Sequence, residues 1–181
     1  VYKYTFATDA LGFKYLFDYA KSMGKPCVAS FSEGSDQDFW GYDCLYYEML
    51  DSLTGPGCIL VSSAGNNAFL KTWFRKYPGE PSMGAFLSCG GQEMMLTFKS
   101  ADDFSLRFVV YRDKPDTLLV HTQEVLAQPD SVQSSLLQCD DFMLAVKTEA
   151  YNSCYNPRDI CYDVSLLTTG FVGSRHPVAV E

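Results

Sequence analysis

The run Cys58-Ile-Leu-Val-Ser-Ser-Ala-Gly-Asn-Asn67 constrains this fold more than any other stretch of the chain. Four apolar residues break off into small side chains and then two carboxamides. Gly55-Pro56-Gly57 stands before the run, and residues 58–61 carry no charge, the pattern of a short parallel strand covered on both faces. Ser62, Ser63, Ala64 and Gly65 add little bulk, so another backbone or a ligand can lie against this end. Asn66 follows at the carboxyl end of the strand, where ligands collect in open α/β sheets. An ordinary turn is the alternative, since Gly and Asn both tolerate positive φ.

The sequence upstream repeats the theme. Residues 1–6 alternate as a strand, and Thr8 or Asp9 is placed to cap a helix marked by Leu11, Tyr15, Leu16, Ala20 and Met23, with Gly24 as its stop. Lys25-Pro26 leads into a second apolar strand over 27–32, then a loop over 33–38. Tyr42, Leu45, Tyr46, Met49, Leu50 and Leu53 mark a second amphipathic helix. The order β-α-β-α-β with short connections predicts neighbouring parallel strands in an α/β core. Two strand ends, 30–34 and 62–66, then face one cleft.

Beyond residue 67 the character changes. Residues 68–77 read as a short helix or an exposed connection, and Pro78-Gly-Glu-Pro81 is a break. Eight alternating runs follow, at 84–88, 93–99, 104–111, 117–122, 131–138, 142–147, 160–168 and 177–180. In one of them Phe104, Leu106 and Phe108 share a face, as a half-buried strand requires. Such spacing predicts an antiparallel β-sandwich, Greek-key or jelly-roll in style. The domains expected are 1–79, an α/β core, and 80–181, a β-sandwich.

Composition removes several functions. A net charge of −8 and a pI near 4.7 argue against nucleic-acid binding. Phosphate is disfavoured too: 26–70 contains no Lys or Arg, and neither strand-to-helix turn carries Gly-x-Gly-x-x-Gly or a Walker loop. No run is long and apolar enough for a membrane span. The chain opens without Met or a signal-peptide pattern, which suggests an internal piece of a longer protein. Seven cysteines include no Cys-x-x-Cys pair and have no His at ligand spacing, so neither zinc nor another metal or cofactor is expected. Cys27 and Cys58 read as buried thiols, while Cys154 and Cys161 are spaced to pair across a loop in an oxidising compartment.

A strand ending in Ser32-Glu33-Gly34, a helix, a Gly-started strand and then Ser63-Ala64-Gly65-Asn66 resembles the middle of a subtilisin-like serine protease, the S8 peptidase or subtilase family. The resemblance implies a partial subtilisin-like fold with a three-layer parallel core. It gives Asn66 the role of side-chain donor to the oxyanion hole. Ser32, Glu33 and Gly34 match the edge against which a substrate backbone lies, and Ser63, Ala64 and Gly65 match the opposite wall. A carboxamide N–H aimed at the developing oxyanion is worth about 3–4 kcal/mol of barrier. The β-rich segment stands where Csp-type germination proteases of spore-forming bacteria carry an inserted jelly-roll domain, a likeness of placement and strand pattern.

Departures from the family pattern matter as much. Subtilases carry their triad in the order Asp, His, Ser. Here the two histidines, His121 and His176, follow Asn66, and no Gly-Thr-Ser sequence occurs. The chain is therefore expected to contribute the oxyanion Asn and the cleft walls, and to be inactive alone. The implied partners are a peptide or protein substrate and the remainder of the parent chain, in a secreted or cell-envelope location. Glu33, Asp36 and Asp38 beside the substrate path imply a preference for basic residues. Exposed sheet edges invite self-association. Two other readings are a catalytically dead subtilase with a regulatory role and an unrelated α/β binding module.

Overall fold

Thr8 fixes the start of the first helix: its Oγ1 accepts the Leu11 amide at 3.3 Å, capping α1 (Asp9–Ser22). Asp9 in the first turn and Lys21 in the last complement the helix dipole, and Gly24 at φ +65° ends the segment. The computed structural model describes residues 8–32, 44–63, 73–87, 92–139, 142–154, 156–169 and 177–181. The chain divides into two compact units, 1–73 and 74–181.

In the first unit β1 (Cys27–Phe31) and β2 (Cys58–Ser62) pair in parallel, Cys27 opposite Cys58 and Phe31 opposite Ser62. The second helix, α2 (Cys44–Leu53), lies between them in sequence. Period-2 alternation turns Cys27, Ala29, Phe31, Cys58 and Leu60 toward Phe13, Phe17, Leu50 and Leu53 of the two helices. Phe13 meets Phe31 edge to face at 5.2 Å. The helix buries Ala10, Phe13 and Phe17, whereas the expected stripe of Leu11, Tyr15, Leu16 and Met23 is exposed. Apolar residues surround this helix, and the row with two phenylalanines buries more area.

The expected three-layer parallel core is not what forms. Among the described residues the parallel sheet has two strands, with both helices on one face. The other face leaves Val28, Ile59 and Val61 between 50% and 63% exposed. A four-residue apolar run has the same composition whether one face of its strand is covered or two, which is why the sequence misleads here.

The larger part of the structure is antiparallel. The second unit runs β3 (Ala85–Leu87), β4 (Glu93–Ser100), β5 (Ser105–Val110), β6 (Asp116–His121), α3 (Thr122–Leu126), β7 (Val132–Cys139), β8 (Phe142–Asn152), β9 (Ile160–Thr168) and β10 (Val178–Val180). Two four-stranded sheets result, in the orders β3-β10-β5-β6 and β4-β9-β8-β7. The pairing is nested, β3 with β10 and β4 with β9, while β5-β6 and β7-β8 are hairpin neighbours. Alternate residues of both sheets meet in one core around Phe108, Val110, Phe142, Leu144, Tyr162 and Val164. Phe104 stands edge-on to Tyr162 at 5.2 Å.

Cys154 is disulfide-bonded, but not to Cys161, which is buried and outside any disulfide. Cys161 is held in the β8–β9 ladder opposite Tyr151, whereas Cys154 lies two residues past the end of β8. Cys27 and Cys58 are free and half-buried. Residues 73–77 form no regular structure, with Trp73, Phe74 and Tyr77 exposed.

Candidate functional site

Parallel strands deliver both carboxyl ends to one edge. The β1–β2 register closes at Phe31 and Ser62, and the Ser63 amide donates to the Phe31 carbonyl at 3.0 Å, carrying the ladder one residue further. Ser32 and Ser63 follow these paired residues, and both are exposed. The strand ends thus present two small, exposed hydroxyl residues side by side. Of the residues expected to line the cleft, the structure brings Ser32 and Ser63 together. Glu33, Gly34, Ala64, Gly65 and Asn66 lie outside the described residues, as do Asp36, Asp38 and His176.

The perturbed titratable groups are elsewhere, in the second unit. Hydrogen bonds from Arg112, at 2.7 Å from Nη2 and 3.2 Å from Nε, hold the Asp116 carboxyl below the usual range, helped by Cys139. Arg107 does the same for Glu181, with help from Ser82. Burial pushes the Tyr162 hydroxyl up. In the two carboxylate pairs a cation answers the charge, the signature of sheet-bracing ion pairs more than of acid–base chemistry.

His121 makes a contact that a triad search would notice. Its Nδ1 lies 2.7 Å from Ser105 Oγ, and the two are register partners on β6 and β5. Among the described residues no ion pair to His121 accompanies this contact.

One polar cluster escaped the sequence reading. Asp163 accepts from Thr97 Oγ1 at 2.7 Å and from the Tyr151 hydroxyl at 3.0 Å, with Thr97 and Glu149 as its register partners on β4 and β8. Lys147 Nζ lies 3.6 Å from Glu149. Alternation on β9 signals that Asp163 faces outward between buried Tyr162 and Val164, but only the pairing shows which partners it meets. Its oxygens are occupied by these donors, which ties three strands together. Among the described residues no group of three His, Cys, Asp or Glu is placed to hold a metal ion, and no helix is long and apolar enough to cross a membrane.

No protein-family model matches the sequence, and no curated protein matches it. Among solved structures, the fold is similar to that of the CspB protease of Clostridium perfringens, with a TM-score of 0.57 and 12% identity. The match covers 95% of this chain and 35% of that one, so the chain spans about a third of that protein's length. This is a distant structural link to Csp-type proteases, carried by fold and not by a sequence family.

Proposed function

We propose that this chain is a segment of a subtilisin-like serine endopeptidase, and that it supplies the oxyanion donor and two cleft walls to a peptide-hydrolysing site completed by the rest of the parent protein. The observation that carries the reading is the Ser63 amide bonded to the Phe31 carbonyl at 3.0 Å, past the end of a parallel, in-register strand pair. Strand ends that stop together, in small residues, suit a substrate backbone lying between them. The fold likeness to a CspB protease along 95% of the chain supports it.

In this reading the Asn66 carboxamide N–H donates to the oxygen of the scissile carbonyl as negative charge develops there. Preorganised donation of this kind is worth far more at the transition state than in the ground state, where the oxygen carries less charge. Ser32, Glu33 and Gly34 offer backbone groups to one side of the extended peptide, and Ser63, Ala64 and Gly65 to the other. Glu33, Asp36 and Asp38 favour basic substrate residues through charge. The nucleophile and its base lie outside this chain, which is inactive alone. The β-sandwich of the second unit is an insert in the peptidase. A disulfide at Cys154 supports a secreted or envelope location, since disulfides persist in oxidising compartments.

The test is a peptidase assay on the full-length parent and its Asn66→Ala variant. A fall in kcat of about 10²–10³ with KM little changed is expected. A parent that neither cleaves peptides nor reacts with a serine-directed fluorophosphonate would overturn the reading in favour of a binding protein built on a dead peptidase.

A further inference from the structure

Cys27 and Cys58 stand directly opposite one another at the amino ends of β1 and β2, both free and both half-buried. As register partners in a parallel pair they project to the same face, where both pack against the cluster of Phe13, Phe17 and Ala29. Their backbones are held locally: the Cys27 amide donates to the Gly57 carbonyl at 2.8 Å, and Gly57 takes φ +85° immediately before Cys58. Nothing in the proposed peptidase function uses this pair. It lies at the opposite end of the strands from Ser32 and Ser63, about 16 Å away at 3.3 Å per residue.

We propose that Cys27 and Cys58 form a two-thiolate site for a soft, two-coordinate cation of the Cu(I) class. Neighbouring strands run about 4.8 Å apart, and side chains of parallel register partners leave the sheet at roughly that spacing. Because both side chains leave the same face at neighbouring register positions, rotation about their χ1 bonds can bring the two sulfurs to opposite sides of a two-coordinate cation without moving the strands. A disulfide between them would have to draw the two Cβ atoms to about 3.8 Å, closer than the strand spacing. Zinc requires four ligands, and among the described residues no third His, Cys, Asp or Glu joins the pair. Thiolate ligands select Cu(I) over harder ions, and the apolar surroundings slow exchange with water. Binding displaces one proton from each thiol to solvent and moves no electrons, so affinity rises with pH.

The experiment titrates the purified chain with Cu(I) under argon against a chromogenic Cu(I) chelator, reading stoichiometry by native mass spectrometry. One Cu(I) per chain is expected, with affinity reduced at least about tenfold in Cys27→Ser and in Cys58→Ser but unchanged in Cys139→Ser. Iodoacetamide footprinting of the unsubstituted chain supplies a readout independent of variant folding: Cu(I) should protect Cys27 and Cys58 together. Absence of one-to-one binding, equal retention by both serine variants, or alkylation of either cysteine at the free rate in the presence of Cu(I) would each overturn the assignment. So would formation of a Cys27–Cys58 disulfide in preference to the metal complex when both are offered.

Discussion

Gln133 and Thr148 are register partners on β7 and β8, and each carries a buried oxygen, Oε1 and Oγ1, with no hydrogen-bond partner among the described residues. Thr148 is 1% exposed and faces the core between Val146 and Ala150 of the same strand face. A buried hydroxyl without a partner costs about 1–3 kcal/mol relative to one that is bonded. Thr148→Val keeps the branched shape and removes that cost. The variant is expected to be as stable as the parent or up to about 2 kcal/mol more stable, measured by urea denaturation. A loss beyond about 1 kcal/mol would mean that the hydroxyl is bonded, through a bridging water for instance.

Phe108 and Phe86 test which side of the second unit is its core. Phe108 is fully buried at the centre of the sandwich, while Phe86, on β3, is 68% exposed against Tyr111 at a centroid distance of 5.4 Å. Phe108→Ala should cost about 3–5 kcal/mol, the transfer term plus a cavity. Phe86→Ala should stay within about 0.5 kcal/mol, as surface substitutions do. Chemical denaturation of the two variants side by side reads the contrast, and comparable losses would refute the assignment of the core face.

Acid should loosen the corner where Arg112, Asp116 and Cys139 meet. The Asp116 carboxyl is held low by Arg112 first and Cys139 second, so the folded state gives up this proton more readily than the unfolded chain does. A depressed acid stabilises the fold above its ordinary pKa, near 3.9, and that contribution fades as pH falls through the lower folded value. Glu181, held low by Arg107, acts in the same direction. Denaturation midpoints should therefore drop below about pH 4. In Asp116→Asn the drop should be smaller, with the deficit relative to the parent visible at pH 7 and closing in acid. An unchanged pH profile in the variant would remove Asp116 from the account.

The strands of the second unit were legible because alternation of period 2 survives wherever one face is buried. The run 160–168 coincides with β9, and each of the other seven runs overlaps a strand from β3 to β10. Pairing was not legible: nothing local announces that Glu93 lies beside Leu167 or Val178 beside Val110. Five residues are too few to show a helical period, so α3 went unseen, and β6 opens at Asp116, one residue before the run 117–122. In the first unit the helix was legible from its cap and its glycine stop, but not its buried face, because Leu11 and Leu16 compete with Phe13 and Phe17 for it. The edge at Ser32 and Ser63 was readable from two strands that end in small polar residues. Asp163 was not, since its partners Thr97 and Tyr151 come from strands whose adjacency only the fold reveals.

The one-sided parallel sheet gives the last expectation. Leu60 of β2 points at Phe13 and Phe17, and its neighbour Ile59, on the reverse face, is 53% exposed. Burial on a single face means that adjacent residues of one strand should respond in opposite ways. Leu60→Ala removes packed methyl groups and should cost about 2 kcal/mol or more, tempered by the partial exposure of the site. Ile59→Thr keeps the β-branch that suits a strand and gives up little buried area, so its cost should fall within about 0.5 kcal/mol. Hydrogen exchange of the Ala29 and Val61 amides, measured beside global denaturation, reports whether either change opens the strand pair locally. Equal losses at the two positions would show Ile59 to be covered in solution, and the parallel sheet to be buried on both sides after all.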